Sequence, residues 1–235
     1  MTQLVQSSES LQPAAKEAVL FCWSGGKDSA LALYELQTSQ RYEVVSLLTT
    51  VTRDFDRISM HGVRRTLLHQ QAAALGLPLE EVVISAGADN AEYEAQMHTA
   101  LAAHHQNGIR SVVFGDIFLE DVRQYREKNL QKLGMQGLFP LWQRDSTELV
   151  QRFIDLGFKS RLCCVDGRVL DKSFAGRLID EQFVKDLPAG VDPCGENGEF
   201  HSFVFDGPPF SHEIGLTTGE IVAKGSFFFC DLVPI

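Results

Sequence analysis

The sequence predicts an α/β fold: a doubly wound parallel sheet, followed by a smaller α+β part. From residue 18 onward, short apolar runs alternate with longer helical patterns. The runs are continuously apolar, which is typical of parallel strands that are covered on both faces. Each connecting segment is long enough for a crossover helix. Together these observations predict four successive strand–helix units.

The four units follow one another between residues 19 and 133. The predicted strands and the helices that follow them cover residues 19–23 and 27–37, 44–50 and 63–75, 80–84 and 91–107, and 111–115 and 120–133. Gly76 and Pro78 end the second helix, and Gly134 ends the fourth, because glycine caps a helix and proline stops it.

The pattern changes beyond Gly137. Residues 145–148 are typical of a helix start, and we expect this helix to reach residue 156. A strand over 159–165, a helix around 175–185, a turn-rich segment over 188–198 and strands over 200–205 and 220–232 follow. We therefore predict a loose tail over 1–15, one domain over 16–138 and a second over 139–235.

Composition limits the function classes. Of the 235 residues, 44% are hydrophobic and 22% are charged, which excludes a wholly disordered chain. The 21 basic residues against 31 acidic ones give a net charge of −10, which disfavours nucleic acid as a partner. No apolar run approaches the ~20 residues that span a membrane, and no secretory signal is visible. We expect a soluble cytoplasmic protein.

The five cysteines form no CxxC pair, so neither a disulfide scaffold nor a structural zinc site is expected. Cys163 and Cys164 lie at the end of a predicted strand, where burial is the ordinary explanation for a thiol.

The segment SGGKDS, residues 24–29, follows the first strand and opens the first helix. At such a position, backbone N–H groups and the positive end of the helix dipole attract an anion. Gly25 and Gly26 let a phosphate approach the backbone closely. The spacing differs from both G-x-x-x-x-G-K-[ST] and G-x-G-x-x-G. The sequence therefore predicts a phosphate site of another kind.

The polar residues of this segment suit a nucleotide. Ser24 and Ser29 can donate hydroxyl hydrogen bonds to phosphate oxygens, and Lys27 can offset developing charge. Asp28 can bind Mg²⁺ directly or through water. A tight turn with solvated Lys27 and Asp28 is the alternative without a ligand.

SGGKDS resembles the SGGxDS signature of the PP-loop ATP pyrophosphatases, which belong to the adenine nucleotide α-hydrolase-like (HUP-like) superfamily. Members of that superfamily split ATP into AMP and pyrophosphate, and the loop holds the departing pyrophosphate. The resemblance implies that ATP and Mg²⁺ bind at residues 24–29 and that a substrate is adenylated.

Further motifs extend the resemblance, over residues 20 to about 202, to the diphthine–ammonia ligase family. These motifs are residues 60–64 (MHGVR), 74–78 (ALGLP), 115–117 (GDI), 140–142 (PLW), 170–171 with 176–177, and 195–201 (GENGEFH). Family members use ATP to join ammonia to the carboxylate of diphthine, a modified histidine of elongation factor 2 that carries a quaternary ammonium group. Adenylation would supply AMP as a good leaving group.

Outside the loop, three residues are candidates for nucleotide chemistry. His61 follows the second strand, and an imidazole can accept or donate a proton near neutral pH. Arg64 is a candidate phosphate ligand. Asp116 ends a strand and is predicted to be catalytic with His61, Lys27 and Asp28, although a helix-capping role is an equal alternative.

A second cluster is predicted to bind the substrate. Glu196 and Glu199 lie in one glycine-rich turn, and their carboxylates suit a cation such as ammonium or the ammonium group of diphthine. Phe200 or Trp142 would add cation–π attraction. A solvated acidic turn is the alternative. The predicted substrate-binding residues are Arg126, Trp142, Glu196, Asn197, Glu199 and His201.

The sequence of the fourth predicted helix does not determine which carboxylate is the acceptor substrate. Arg126 and Asn129 match the family, but their neighbours do not, so the same chemistry on another carboxylate is a serious alternative. Two further alternative functions are a nucleotide sensor without catalytic activity and a tRNA-thiolating PP-loop enzyme. Whether the protein forms a homodimer is also left open.

Overall fold

The computed structural model describes residues 15–59 and 61–235. The predicted N-terminal tail lies outside these residues, apart from residue 15. The first part of the described chain contains β1 (Glu17–Cys22), α1 (Lys27–Thr38), β2 (Tyr42–Thr52), β3 (Arg57–Ile58), α2 (Arg65–Leu75), β4 (Leu79–Ile84), α3 (Asn90–Gln106), β5 (Ser111–Val113), α4 (Glu120–Gln131) and β6 (Gln136–Leu138).

Five strands of this part form a parallel sheet in the order β4-β2-β1-β5-β6. The short β3 runs antiparallel beside the end of β2. The strand order changes direction between β1 and β5, because β2 and β4 lie on one side of β1 and β5 and β6 on the other. Open parallel sheets bind ligands outside the carboxyl ends of their strands at such a point.

Helices cover both faces of the sheet, as the continuous apolar strands predicted. Val19 and Phe21 of β1 pack into the core that contains the buried residues of α1 and α2. Leu20, between them, points to the opposite face and packs with Leu101 of α3 and Leu130 of α4. The prediction of a doubly wound parallel sheet is confirmed.

The rest of the chain adds a second sheet. Its elements are α5 (Ser146–Asp155), β7 (Lys159–Asp166), α6 (Glu181–Asp186), β8 (Phe200–Asp206), β9 (Leu216–Lys224) and β10 (Phe227–Pro234). The four strands are antiparallel, in the order β8-β7-β10-β9. Phe200 and Phe203 of β8 belong to the same core as α1. The two sheets thus share one core, and the domain division near residue 138 stays a prediction.

The predicted helix around 175–185 is wrong in its first half. Gly176 has a φ of 83°, which a right-handed helix does not allow. Asp180 then caps α6, because its side chain accepts a 2.7 Å hydrogen bond from the backbone N–H of Phe183. Only one and a half turns of helix remain. Across residues 15–59 and 61–235, no helix is long and apolar enough to cross a membrane.

Candidate active site

A cavity of about 460 Å³ opens at the carboxyl ends of β1, β2 and β5. The SGGKDS loop forms its floor, and the segment 194–202 of the second sheet forms one wall. Both motifs that the sequence singled out as most distinctive therefore face one space. His61, Asp116 and Arg126 line it too.

The loop leaves the start of α1 open to a ligand. The N-cap residue of this helix is Gly26, which has no side chain to cap it, and Ser202 of β8 takes only the N–H of Lys27. The hydroxyl oxygens of Ser24 and Ser29 lie 2.7 Å apart, and that of Ser24 accepts a 3.2 Å hydrogen bond from the N–H of Gly26. Since the first N–H groups of a helix have no partner within it, the helix start suits an anion.

Close packing explains two glycines at this point. Gly25 has a φ of 79°, and a Cβ there would lie 2.7 Å from Oε1 of Gln71. A Cβ on Gly115, at the end of β5, would lie 3.0 Å from the backbone of Asp28 and Ser29. Glycine at both positions lets β5 and the loop meet.

Gln71 of α2 holds the loop from below, and it is fully buried. Its Oε1 accepts a 2.9 Å hydrogen bond from Nε1–H of Trp23. Its Nε2 donates to the carbonyl oxygens of Gly25 at 2.9 Å and Val204 at 2.6 Å. One amide thereby connects β1, the loop and β8. Sequence reasoning missed this residue.

The second sheet also fixes the loop. The backbone N–H of Val204 donates to the Gly25 carbonyl at 2.9 Å, and the N–H of Lys27 donates to Oγ of Ser202 at 3.1 Å. Nζ of Lys27 donates to the carbonyl oxygen of Cys194. The loop is therefore built by both halves of the chain.

Three carboxylates face the cavity, and two of them are paired. Asp28 Oδ1 lies 2.6 Å from Nζ of Lys27. Asp116 Oδ2 lies 2.6 Å from Nε of Arg126. Glu196 instead accepts a 2.8 Å hydrogen bond from the backbone N–H of Ile117 and forms no ion pair with any residue of 15–59 or 61–235.

The surroundings set the protonation of these groups. Burial raises the pKa of Glu196 to about 7, and the negative charges of Asp28 and Asp116 add to this effect. Burial, the largest single effect, lowers the pKa of Lys27, but Asp28, Cys194 and Glu196 together outweigh it and hold the pKa above the ordinary value, so Lys27 is charged. Glu196 is thus the carboxylate that can exchange a proton near neutral pH.

His61 and His201 meet at the mouth of the cavity, with ring centroids 4.6 Å apart and planes tilted by 45°. Burial lowers the pKa of His61. Burial, with the neighbouring His61 and Lys27, lowers the pKa of His201 to about 3. Both imidazoles are therefore neutral at physiological pH and can serve as hydrogen-bond donors and acceptors.

Gly25 does not line the cavity, and beyond the loop four more predicted site residues lie outside it. Arg64 forms a two-pronged ion pair with Asp231 of β10, at 3.0 and 2.6 Å, and is turned away from the loop. Glu199 accepts hydrogen bonds from the N–H of Asp192 and from Asn197, so Glu199 and Asn197 organise the turn rather than face a ligand. Trp142 is the fourth of these residues.

The aromatic rings proposed for a cationic substrate already contact protein cations. The guanidinium carbon of Arg123 lies 4.5 Å from the ring centroid of Trp142. Nζ of Lys27 lies 5.8 Å from the ring centroid of Phe200. Each ring therefore already faces a cation of the protein itself.

Family models match both parts of the chain. The model described as "Diphthamide synthase N-terminal domain" matches residues 15–137, and "Diphthamide synthase C-terminal domain" matches residues 145–233. The chain belongs to the diphthamide synthase family. The family predicted from the motifs is confirmed.

Relatives of this diphthamide synthase family member are named diphthine–ammonia ligases. The protein of Danio rerio is 28% identical over 85% of this chain and 86% of its own length. The Homo sapiens protein is 24% identical over 88% of this chain and 85% of its own length. The Schizosaccharomyces pombe protein is 27% identical over 91% of this chain, which spans only 38% of that relative's length.

Two thiols line the cavity of this diphthamide synthase family member, and neither is reactive. Burial raises the pKa of Cys22 and of Cys194 to about 12. Since the thiolate is the nucleophile, thiols with such pKa values are inert near neutral pH.

Proposed function

We propose that the protein is an ATP-dependent ligase that adenylates a carboxylate and transfers ammonia to it, releasing AMP and pyrophosphate. The proposed acceptor is diphthine on elongation factor 2, and the proposed site of the reaction is the cytoplasm. The observation that carries the proposal is the open start of α1 at SGGKDS, facing the same cavity as the unpaired carboxylate of Glu196. The names of the relatives supply the acceptor.

In the first step, the loop binds the β- and γ-phosphates of ATP through the N–H groups of α1 and the hydroxyls of Ser24 and Ser29. A carboxylate oxygen of the acceptor attacks the α-phosphorus. An acyl–adenylate bond forms, and the bond to pyrophosphate breaks. The charge on Lys27 stabilises the departing pyrophosphate, which is the part of the reaction where negative charge develops.

Asp28 is the residue proposed to hold Mg²⁺. The described residues contain no group of three or more acidic, cysteine or histidine side chains that could hold a metal alone. Mg²⁺ fits nonetheless, because it is commonly bound by one or two carboxylates together with substrate phosphates, and Asp28 borders the cavity beside the loop. When bound, the ion would neutralise phosphate charge.

In the second step, ammonia attacks the carbonyl carbon of the acyl-adenylate, a C–N bond forms, AMP leaves with the electrons of the C–O bond, and the nitrogen releases one proton to water to give the neutral amide. Ammonium must first lose a proton to become a nucleophile. We assign the binding of ammonium and the acceptance of this proton to Glu196, because Asp28 and Asp116 are neutralised by Lys27 and Arg126. His61 and His201 would complete the wall that excludes water.

The structure offers less support for two alternative functions. A thiolating enzyme needs a reactive cysteine, and the pKa values of about 12 for Cys22 and Cys194 disfavour one. A nucleotide sensor without chemistry would have no use for a proton acceptor such as Glu196 beside the phosphate site. Amidation of another carboxylate has the same mechanism, and only an assay with acceptors distinguishes it.

The proposal is tested by incubating the protein with Mg-ATP and ammonium, with and without elongation factor 2 that carries diphthine. AMP, pyrophosphate and the amide mass are measured. Lys27→Ala serves as the inactive control, and ammonium is omitted in a parallel reaction. Unmodified elongation factor 2 controls for binding of the factor alone.

AMP formed in proportion to amide, and only with the diphthine-bearing factor, is the expected result. AMP formation that this factor does not stimulate would indicate that the acceptor is a carboxylate other than diphthine. The absence of AMP despite ATP binding would overturn the ligase assignment and favour a sensor.

A further inference from the structure

A second cavity, of about 350 Å³, lies between α3 and α4 and adjoins the first. Tyr93, Met97, Phe114 and Arg126 line both cavities, so they form the partition between them. Beyond the partition, the second cavity is lined by Tyr125, by four apolar side chains and by four polar ones, which are Ala95, Leu101, Leu130 and Leu133, and Glu94, His98, Asn129 and Lys132. The chemistry proposed above makes no use of this space.

The second cavity has the composition of a site for a methylated cation. Tyr93 and Tyr125 present aromatic rings from two different helices, and Glu94 adds a carboxylate. Glu94 lies close enough to Tyr125 to raise the pKa of that phenol, together with burial, the larger cause. Aromatic faces attract cations, and quaternary ammonium groups are commonly bound in aromatic cages.

The arginine and the lysine of the lining are each paired with a carboxylate. Arg126 is paired with Asp116, and Lys132 lies at the rim, 3.5 Å from Glu94 and 2.6 Å from Oδ1 of Asn129. Nε and Nη2 of Arg126 face Asp116, and its Nη1 makes no hydrogen bond within the described part of the chain. The partition therefore keeps a nitrogen available for a carboxylate.

The proposed acceptor has both groups on one carbon atom. Its carboxylate must enter the ATP cavity to be adenylated, so the trimethylammonium group beside it must lie within a few ångströms. Arg126 suits the carboxylate at the partition, and the tyrosine-lined cavity suits the methylated nitrogen on the far side.

We propose that the cavity between α3 and α4 binds the trimethylammonium group of the acceptor against Tyr93 and Tyr125 while Arg126 orients its carboxylate toward the phosphate loop. This inference rests on the proposed function. Tyr93 and Tyr125 thus take the cation-binding role that the sequence suggested for Trp142 and Phe200. The ring of Trp142 contacts Arg123, and that of Phe200 contacts Lys27.

The same cavity discriminates against an unmethylated amine. A primary ammonium group carries three N–H donors, for which the aromatic and leucine side chains offer no acceptor, and Glu94 is already paired with Lys132. A trimethylammonium group has no donor to leave unpaired and covers its charge with methyl groups. The site is therefore selective for methylation as well as for charge.

The test uses N,N,N-trimethylglycine, the smallest molecule with a trimethylammonium group and a carboxylate on one carbon, and glycine as its unmethylated counterpart. Binding to the full-length protein is followed by ligand-observed NMR titration. We expect trimethylglycine to bind in a saturable manner and at least about 5-fold more tightly than glycine. Tyr125→Leu should weaken its binding by about 2- to 30-fold, whereas Tyr125→Phe, which keeps the ring, should stay within about 2-fold.

Phe55→Leu is the matched control, because Phe55 is an exposed aromatic residue of another surface, beside Lys224. It should leave trimethylglycine binding unchanged. Equal affinity for the two probes, no saturable binding, or equal effects of Tyr125→Leu and Phe55→Leu would overturn the inference. Urea unfolding of each variant verifies that the fold is intact.

The titration involves no ATP chemistry, so it separates the two proposals. If the diphthine-bearing factor stimulates AMP formation but Tyr125→Leu changes neither its KM nor probe binding, the cavity assignment falls and the ligase stands. If the probes behave as expected but no AMP forms, the ligase falls and the site for a trimethylammonium carboxylate stands.

Discussion

Replacement of Gln71 by leucine should both destabilise the protein and loosen the phosphate loop. The amide makes three buried hydrogen bonds, to Trp23, Gly25 and Val204. Leucine has a similar size and keeps the helix, but it can make none of them. The Gly25 carbonyl retains its bond from the Val204 N–H, so the Trp23 N–H and the Val204 carbonyl lose the contacts that Gln71 provides.

A buried polar group without a partner costs about 1–3 kcal/mol. Two such groups, partly relieved by relaxation, give an expected loss of about 2–4 kcal/mol in the free energy of unfolding. For a chain of this size, that loss lowers Tm by about 5–15 °C. Chemical denaturation in urea measures the free energy, and a nucleotide titration measures the accompanying loss of ATP affinity.

Gln70→Leu is the matched control, one position earlier on the same helix. The Oε1 atom of Gln70 is buried without a hydrogen-bond partner, so its removal should be neutral or slightly stabilising. Gln71→Glu adds a second test, because a carboxylate would face the carbonyl oxygens of Gly25 and Val204. Its defect should lessen at acid pH, where the carboxyl group is protonated. Equal effects of Gln71→Leu and Gln70→Leu, both below about 0.5 kcal/mol, would refute the reasoning.

Further substitutions test the cavity. Lys27→Met should lower the rate of AMP formation by about 10²- to 10³-fold, since it removes the charge beside the leaving pyrophosphate; a near-normal rate in the AMP assay would contradict that role. The amidation rate at a constant concentration of ammonium ion should rise with pH through about 7 as Glu196 loses its proton. Glu196→Gln should lack this rise yet retain ATP–pyrophosphate exchange, and an unchanged pH profile would remove Glu196 from the mechanism. His201 has a folded pKa of about 3 against an ordinary value of 6.5, so the unfolded chain binds the extra proton between these values and stability falls as pH decreases through them. His201→Gln should flatten this dependence in urea unfolding, and an equally steep loss would place its origin elsewhere. Arg64→Gln should change the KM for ATP less than about 2-fold and cost about 0.5–1 kcal/mol of stability through the lost Asp231 pair, whereas a 10-fold rise in KM would restore Arg64 as a phosphate ligand.

Local sequence patterns predicted much of the fold. Continuous apolar runs identified β1, β2, β4 and β5, and the glycine and proline after residue 75 located the end of α2 at Leu75. β6 escaped prediction because its three residues include Gly137 and carry no apolar run. The helix around 175–185 failed because helical composition does not reveal the backbone conformation that Gly176 adopts in the folded chain.

In the candidate site too, local motifs were predicted and contacts between distant residues were not. SGGKDS and the 195–201 motif are local signals, and the structure brings both to one cavity. Contacts between distant residues leave no such signal: Arg64 pairs with Asp231, 167 positions later, and Gln71 bonds Val204, 133 positions later. A lone arginine or glutamine in a sequence does not indicate its partner, which is why one was assigned to phosphate and the other was missed.

The bonds between the phosphate loop and residues 194–204 also set the order in which the protein can fold during its synthesis. The partner of the Lys27 N–H is Ser202, 175 residues downstream, and the Cys194 carbonyl that receives Nζ of Lys27 is 167 residues downstream. A ribosome-bound chain that has produced only the parallel sheet therefore holds an unfinished loop. The hydrogen bonds that fix the loop can therefore form only after residues 194–204 have been made and the second sheet has folded onto the first. A ligand that binds the completed loop stabilises the state in which the two sheets are joined.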